Sequence, residues 1–106
     1  MLYEERRYQV RVGEMPEVLR LYTELGWPAL EAAGLHRKLV GYFVSDVGRL
    51  HELVHLWRFE DDADRRAHWK GVFGDEAFMR FAVQLRPLLA SQENRLLSPA
   101  PWGPRP

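Results

Sequence analysis

The amino-acid sequence predicts an α+β fold with the element order strand, helix, strand, strand, helix, strand. Stretches rich in Val, Tyr and Phe, with strand-like patterning, occupy residues 2–12 and 39–60. Apolar residues at helical spacing fill residues 16–33 and 63–85. This order is the ferredoxin-like βαββαβ pattern of two split βαβ units, in which helices cover one face of an antiparallel sheet.

The strands are identified by side-chain alternation, because successive residues of a strand point to opposite faces. In the first strand, Arg6 and Tyr8 lie on the apolar-aromatic face. Gly48-Arg49 is predicted as a two-residue turn, which would place Tyr42 opposite His55 in the following strand. The four predicted strands are residues 2–12, 39–47, 50–60 and 91–98.

The helices are identified by apolar spacing and by residues typical of helix ends. Pro28 cannot donate a backbone hydrogen bond, so we expect a kink or a restart near Gly26. Gly34 suits the end of this first helical region, and Asp75 is a good N-cap in the second. The predicted helical ranges are 16–33, 63–72 and 76–85.

Residues 50–60 contain the spelling of a zinc-protease motif, His51-Glu52-x-x-His55. On a helix the two imidazoles could bind one zinc ion, with Glu52 as the base. On a strand, four residues span about 13 Å, so the two rings cannot share a metal ion. The turn before this stretch and the aspartates after it favour a strand. A zinc hydrolase is therefore the outsider among the functional hypotheses, and no metal site is expected.

The second and third strands carry apolar side chains on both faces, although helices cover only one face of such a sheet. Burying one large apolar side chain is worth roughly 1.5–3 kcal/mol, so a bare apolar face would be unusual for a monomer. We therefore predict a homodimer with its sheets packed face to face. One face should contain Leu39, Phe43, Val54 and Leu56, and the other Val40, Val44, Leu53, Trp57 and Phe59.

Composition limits the possible partners and location. The 106 residues predict one domain, residues 1–98, followed by a proline-rich extended tail, residues 99–106. The chain has 15 basic and 15 acidic residues and no basic stripe, which gives no support for a nucleic-acid partner. There is no cysteine and no apolar run long enough to span a membrane, so we expect a cytoplasmic protein.

Several stretches, taken together and in order along the chain, resemble the NIPSNAP family. They are Tyr3-Glu4 with Arg6, Tyr8 and Val10; Val54-His55-Leu56-Trp57; Arg86-Pro87-Leu88-Leu89; Ser91-Gln92-Glu93; and Pro99-Ala100-Pro101. The resemblance implies a ferredoxin-like subunit that forms a dimeric α/β barrel, with a pocket between each sheet and its own helices. It implies no defined reaction. The wider barrel superfamily includes cofactor-independent oxygenases, haem-degrading enzymes and isomerases, and the fold alone cannot choose among them.

If the face of Trp57 lines that pocket, its neighbours form a candidate ligand site. Arg6 would bind an anion, Tyr8 and Tyr42 would donate hydroxyl groups, and Trp57 would form an apolar wall. His55 is the candidate catalytic residue, since imidazole transfers protons near neutral pH. The first hypothesis is a module that binds a small aromatic or carboxylated ligand or a protein partner, without a cofactor. The alternative is a small cofactor-independent oxygenase or isomerase that uses His55 with the nearby Tyr and Arg.

Overall fold

The structure, a computed structural model, describes residues 1–106 and confirms the ferredoxin-like α+β fold. Its regular elements are β1 (Leu2–Val10), α1 (Met15–Leu21), a π-helical turn (Tyr22–Gly26), α2 (Trp27–Ala32), a 3₁₀ turn (Leu35–Lys38), β2 (Leu39–Val44), β3 (Glu52–Phe59), α3 (Asp62–Gly74), α4 (Glu76–Leu85), a 3₁₀ turn (Arg86–Leu88) and β4 (Leu89–Leu97). The strands form one antiparallel sheet in the order β2-β3-β1-β4. β1 and β3 are therefore central, and the residues predicted for the site lie mostly on them.

The β2–β3 connection is longer than the predicted two-residue turn. Residues 45–51 lie outside both strands, and Gly48 and His51 have φ values of 91° and 64°. These left-handed conformations open the hairpin, so β2 and β3 are shorter than predicted. The register nevertheless places Tyr42 opposite His55, as predicted.

The first helical region changes its hydrogen-bonding pattern just before Pro28. The N–H group of Trp27 donates to the carbonyl oxygen of Tyr22, five residues earlier, which defines a π-helical turn. Pro28 then occupies the first turn of α2, where no N–H group is needed. Gly34, with φ of 71°, follows the end of this region, as expected for a C-terminal cap.

Both later helices begin with an aspartate cap. The side chain of Asp61 accepts from the N–H group of Asp64 at 2.8 Å, and that of Asp75 accepts from Phe78 at 2.9 Å. These caps satisfy N–H groups that have no partner within the helix. None of the helices combines the length and apolarity needed to cross a membrane.

The two faces of the sheet differ in chemistry. The helix-facing side of β3 is buried through Leu53, Trp57 and Phe59, which pack into the core. Leu39 also lies on this side and packs near Trp57, because the register between β2 and β3 shifts just after Leu39. The prediction that Leu39 shares the face of Phe43 was therefore wrong. The opposite, open face is apolar over Phe43, Val54 and Leu56 but charged over Glu5, Arg7, Glu52, Glu93 and Arg95.

The proline-rich end of the chain folds back against the open face. The Tyr3 hydroxyl donates to the carbonyl oxygen of Pro106 at 2.8 Å, and Arg58 Nη1 donates to the same atom at 3.2 Å. Tyr3 and Arg58 are paired across β1 and β3. The tail thus contacts the end of the sheet at which β1 begins.

Candidate functional site

A cavity of about 120 Å³ lies between the sheet and its helices. For scale, an engineered apolar cavity of about 150 Å³ binds benzene. All five side chains predicted for the ligand site line this cavity: Arg6, Tyr8, Tyr42, His55 and Trp57. The helices contribute a largely aromatic and aliphatic wall, which includes Tyr22, Leu30, Trp69, Val72, Phe73, Phe78, Ala82 and Leu85.

The register of the sheet brings the floor of the cavity together. Asn94, Arg6, His55 and Tyr42 are neighbours on β4, β1, β3 and β2, in that order. They form one row across the sheet, and the row faces the helices. Adjacent strands are about 4.8 Å apart, so His55 lies about 10 Å from the β4 edge.

His55 is held in one tautomer by Trp57. The indole nitrogen of Trp57 donates to His55 Nδ1 at 2.7 Å. Because the indole nitrogen can only donate, Nδ1 carries no proton, and the proton of the neutral ring is on Nε2. The side chain is 3% exposed, and Nε2 has no hydrogen-bond partner in the protein. His55, which lines the cavity, therefore carries a buried N–H group without a partner.

The charge state of His55 follows from its surroundings. Burial, and secondarily the nearby guanidinium of Arg6, lowers the pKa of His55 well below its ordinary value. The ring stacks on Tyr42 with a centroid separation of 4.8 Å and meets Tyr8 edge-on at 4.9 Å. Burial raises the pKa of Tyr42 and of Tyr22, so their hydroxyl groups stay neutral. At neutral pH these groups can form neutral hydrogen bonds.

Arg6 is already engaged by a buried carboxylate. Its Nη1 donates to Glu4 at 2.8 Å and its Nε to the Tyr8 hydroxyl at 3.2 Å. Glu4 is fully buried and also accepts from Arg65 and from the Trp69 indole, at 3.1 and 3.0 Å. The Arg6 guanidinium lies 4.4 Å from the ring centre of Trp69. Glu4 thus fixes one wall of the cavity and neutralises much of the charge of Arg6.

The zinc motif is not assembled. His55 lies on β3 inside the cavity, whereas His51 is in the β2–β3 connection and Glu52 pairs with Gln9 across the sheet. No three His, Asp or Glu side chains lie close enough to one another to bind a metal ion. The zinc hydrolase hypothesis is therefore wrong for a chain that forms this strand. Asp46 lies in the same connection, outside both strands.

Two important residues were not predicted as part of the site. Glu4 shares the strand parity of Arg6 and Tyr8, so alternation alone could have placed it on the helix-facing side. Arg86 lines the cavity from the short turn between α4 and β4. No periodic pattern identifies it, because its position depends on how the end of α4 packs over the sheet.

The sequence profile of the NIPSNAP family matches residues 3–104 of this chain. Protein NipSnap homolog 2 of Homo sapiens is 30% identical over 107 residues, and that of Danio rerio is 28% identical over 103 residues. Each alignment covers 97% of this chain but only 35% of the relative, so this chain spans a minor part of those proteins.

Solved structures agree with the profile. A NIPSNAP family protein of Agrobacterium tumefaciens has a TM-score of 0.90 at 35% identity, covering 97% of this chain and 96% of that chain. An uncharacterized NIPSNAP domain protein of Burkholderia xenovorans has a TM-score of 0.88 at 30% identity, covering 99% and 100%. An antibiotic biosynthesis monooxygenase structure has a TM-score of 0.65 at 18% identity, covering 95% and 100%, which is a likeness of fold alone.

Proposed function

The chain belongs to the NIPSNAP family, and from this premise we propose that it is a small-ligand-binding module whose site is the cavity beside His55. The ligand is a small aromatic or carboxylated molecule. The observation that carries the proposal is the buried N–H group of His55, which has no partner in the protein. Leaving a buried donor unpaired costs about 1–3 kcal/mol, and a ligand oxygen in the cavity would offset this penalty.

The roles of the five predicted residues follow from their contacts. His55 donates to the ligand, while Trp57 holds its ring in the donating tautomer. Tyr42 stacks on the imidazole ring of His55, and Tyr8 meets that ring edge-on. Arg6 is already bonded to Glu4 and Tyr8, so it contributes only the positive potential that Glu4 does not neutralise. In this arrangement binding depends on shape, aromatic contact and one directed hydrogen bond.

Two variants of His55 test this proposal by isothermal titration calorimetry with 4-hydroxybenzoate. His55→Asn can still accept from the Trp57 indole but lacks a donor at the Nε2 position, whereas His55→Gln can place an amide donor there. We expect His55→Asn to weaken binding by about fivefold to tenfold, with a smaller effect for His55→Gln. Equal affinities for the wild type and both folded variants would contradict the proposed role of His55.

A second candidate function is a small cofactor-independent enzyme of the oxygenase or isomerase type. It is favoured by the N–H donor of His55 beside the guanidinium of Arg6, a pair suited to stabilise a developing oxyanion such as an enolate. Because Trp57 occupies Nδ1, His55 would stabilise negative charge and would not be the base. Incubating the bound compound with the protein in air, followed by liquid chromatography and mass spectrometry, separates the two functions, because chromatography also resolves an isomer of equal mass: an unchanged compound favours the binding module. Conversion that His55→Asn abolishes favours the enzyme.

We also propose a homodimer through the open face of the sheet, forming an α/β barrel. Phe43 is 57% exposed on this face, beside Val54 and Leu56. The charged part carries both signs, so two copies can pair acidic with basic residues across the interface. Light scattering after gel filtration should give twice the chain mass, and a single monomeric mass at micromolar concentration would refute the dimer.

The location and the domain limits remain predictions. A cytoplasmic location can be tested by fractionation of cells that produce the native protein.

The division into a domain, residues 1–98, and a tail, residues 99–106, can be tested by deleting the tail. We expect the shortened chain to fold, with a small loss of stability from the missing contacts of Tyr3 and Arg58 with Pro106.

A further inference from the structure

We propose that Arg86 is the anion-binding residue of this site and that the ligand class is a planar aromatic carboxylate. Its carboxylate is held at the cavity entrance by Arg86, and its ring lies in the aromatic interior. This inference rests on the proposed ligand-binding function and adds a ligand class, an orientation and a residue to it.

The entrance is located by the exposure of the lining residues. Three of the lining residues are exposed to solvent: Arg86, Gln92 and Phe73, the last by 48%. In contrast, His55 is 3% exposed and Trp57 is 1% exposed. The open end therefore lies where the C-terminal ends of α3 and α4 approach the edge strand β4. A ligand that enters here passes the side chain of Arg86 before it reaches His55.

The charges of the lining select an anion. Arg6 and Arg86 line the cavity, and no aspartate or glutamate does. Trp69 contributes an indole donor that is turned away to Glu4, and His55 contributes a free N–H group. Gln92 at the entrance can donate a further hydrogen bond through its amide. The cavity thus offers positive charge and donors, which match a ligand with a carboxylate and an additional oxygen.

The two arginines differ in their capacity for a new anion. Arg6 is buried and donates to Glu4 and to Tyr8. The side-chain amide of Asn94 has one orientation in which both its nitrogen and its oxygen are hydrogen-bonded, and in that orientation the oxygen also accepts from Arg6, at 3.1 Å. Bringing a second carboxylate to Arg6 would place another negative charge beside buried Glu4, with a large loss of hydration. Arg86 is exposed and makes no side-chain hydrogen bond or ion pair within the protein. The carboxylate therefore stays at the entrance.

The depth of the cavity defines the rest of the ligand. His55 lies two strands in from the β4 edge, about 10 Å, and aromatic side chains line the space between. In this arrangement the benzene ring of the ligand occupies the space between, and an oxygen on the ring carbon opposite the carboxylate lies at the end nearest His55. A para-oxygenated benzoate has this shape.

The test compares two probes of the same shape, 4-hydroxybenzoate and neutral 4-hydroxybenzamide, by isothermal titration calorimetry of the full chain. The wild type should bind the carboxylate at least about fivefold more tightly than the amide. Arg86→Gln should lower the affinity for the carboxylate to about that for the amide, so that the preference is lost. Arg80→Gln is the matched control, because Arg80 is also exposed, lies on α4 and is outside this cavity. It should retain the preference.

The outcomes separate this inference from the proposed function. If the wild type binds both probes equally, or if Arg86→Gln keeps the preference for the carboxylate, Arg86 is not the anion site, although ligand binding stands. If neither probe binds to the wild type at millimolar concentration, the proposed binding of small aromatic ligands fails as well. A loss of preference in both arginine variants would indicate a general charge effect and would also overturn the role of Arg86.

Discussion

Acidification should destabilise this protein well above the pH at which its carboxylates titrate, because two buried histidines stay neutral in the folded state. Burial lowers the pKa of His55 well below its ordinary value, and it lowers that of His68 to about 4. His68 packs between Trp57 and Trp69, with ring separations of 4.8 and 4.7 Å. Asp64, Glu4, Lys38 and Arg6 also act on His68, with opposing signs that leave burial dominant.

The direction and size of the effect follow from proton linkage. Below about pH 6.5 the unfolded chain binds a proton at each histidine and the folded protein does not, so stability falls as the pH falls. Each histidine then removes about 1.4 kcal/mol per pH unit, or about 2 kcal/mol between about pH 7.5 and pH 5. Together the two histidines remove about 4 kcal/mol. This is a large fraction of the unfolding free energy of a typical domain, which is about 5–15 kcal/mol. The loss from His68 ends as the pH falls through its folded pKa of about 4.

Urea unfolding followed by tryptophan fluorescence measures this dependence at several pH values. His68→Leu should reduce the slope of the unfolding free energy by about half, because one of the two buried bases is removed. Hydrogen bonds lower the pKa values of Asp62 and Asp64. Their contribution to the stability of the protein is therefore lost only at more acidic pH. A free energy that stays constant from neutral pH to about pH 5, or an unchanged slope in His68→Leu, would refute the reasoning.

Three further predictions concern packing, the buried carboxylate and the interface. A Cβ atom at Gly26 would lie 2.8 Å from the ring of buried Phe81, so Gly26→Ala should lower the unfolding free energy by about 1–3 kcal/mol. Gly74→Ala is the control, because a Cβ atom added at Gly74 would meet open space; it should change the unfolding free energy by less than about 0.5 kcal/mol. Equal effects of the two substitutions in urea unfolding would contradict this packing argument. Glu4→Gln should cost about 3 kcal/mol by the same measurement, because it removes the charge that pairs with two arginines; a loss below about 1 kcal/mol would show that the carboxylate adds little. Leu56→Glu should reduce the mass measured by light scattering to that of a monomer without unfolding the chain, and a persistent dimer would exclude this part of the open face from the interface.

Much of the fold is predictable because its signals are local. Strand alternation grouped Arg6 with Tyr8 on one face of the first strand, which the structure turns towards the helices, and the caps at Asp75 and Gly34 fixed helix ends within a few residues. Each of these signals depends on the backbone geometry of a short stretch of chain. The predicted strand ends were too long where neighbouring residues adopt left-handed conformations, which sequence alone does not specify.

The site was predictable as a set of residues but not as chemistry. The sequence by itself determined the element order, the strand character of most of residues 50–60 and the set of side chains that could face the helices. The tertiary structure decided that Trp57 donates to His55, that Glu4 occupies Arg6, and that Arg86 lies free at the entrance. The physical reason is distance along the chain: alternation and capping act between near neighbours, whereas charge compensation, access and burial are set by residues that meet only after the sheet and helices have packed.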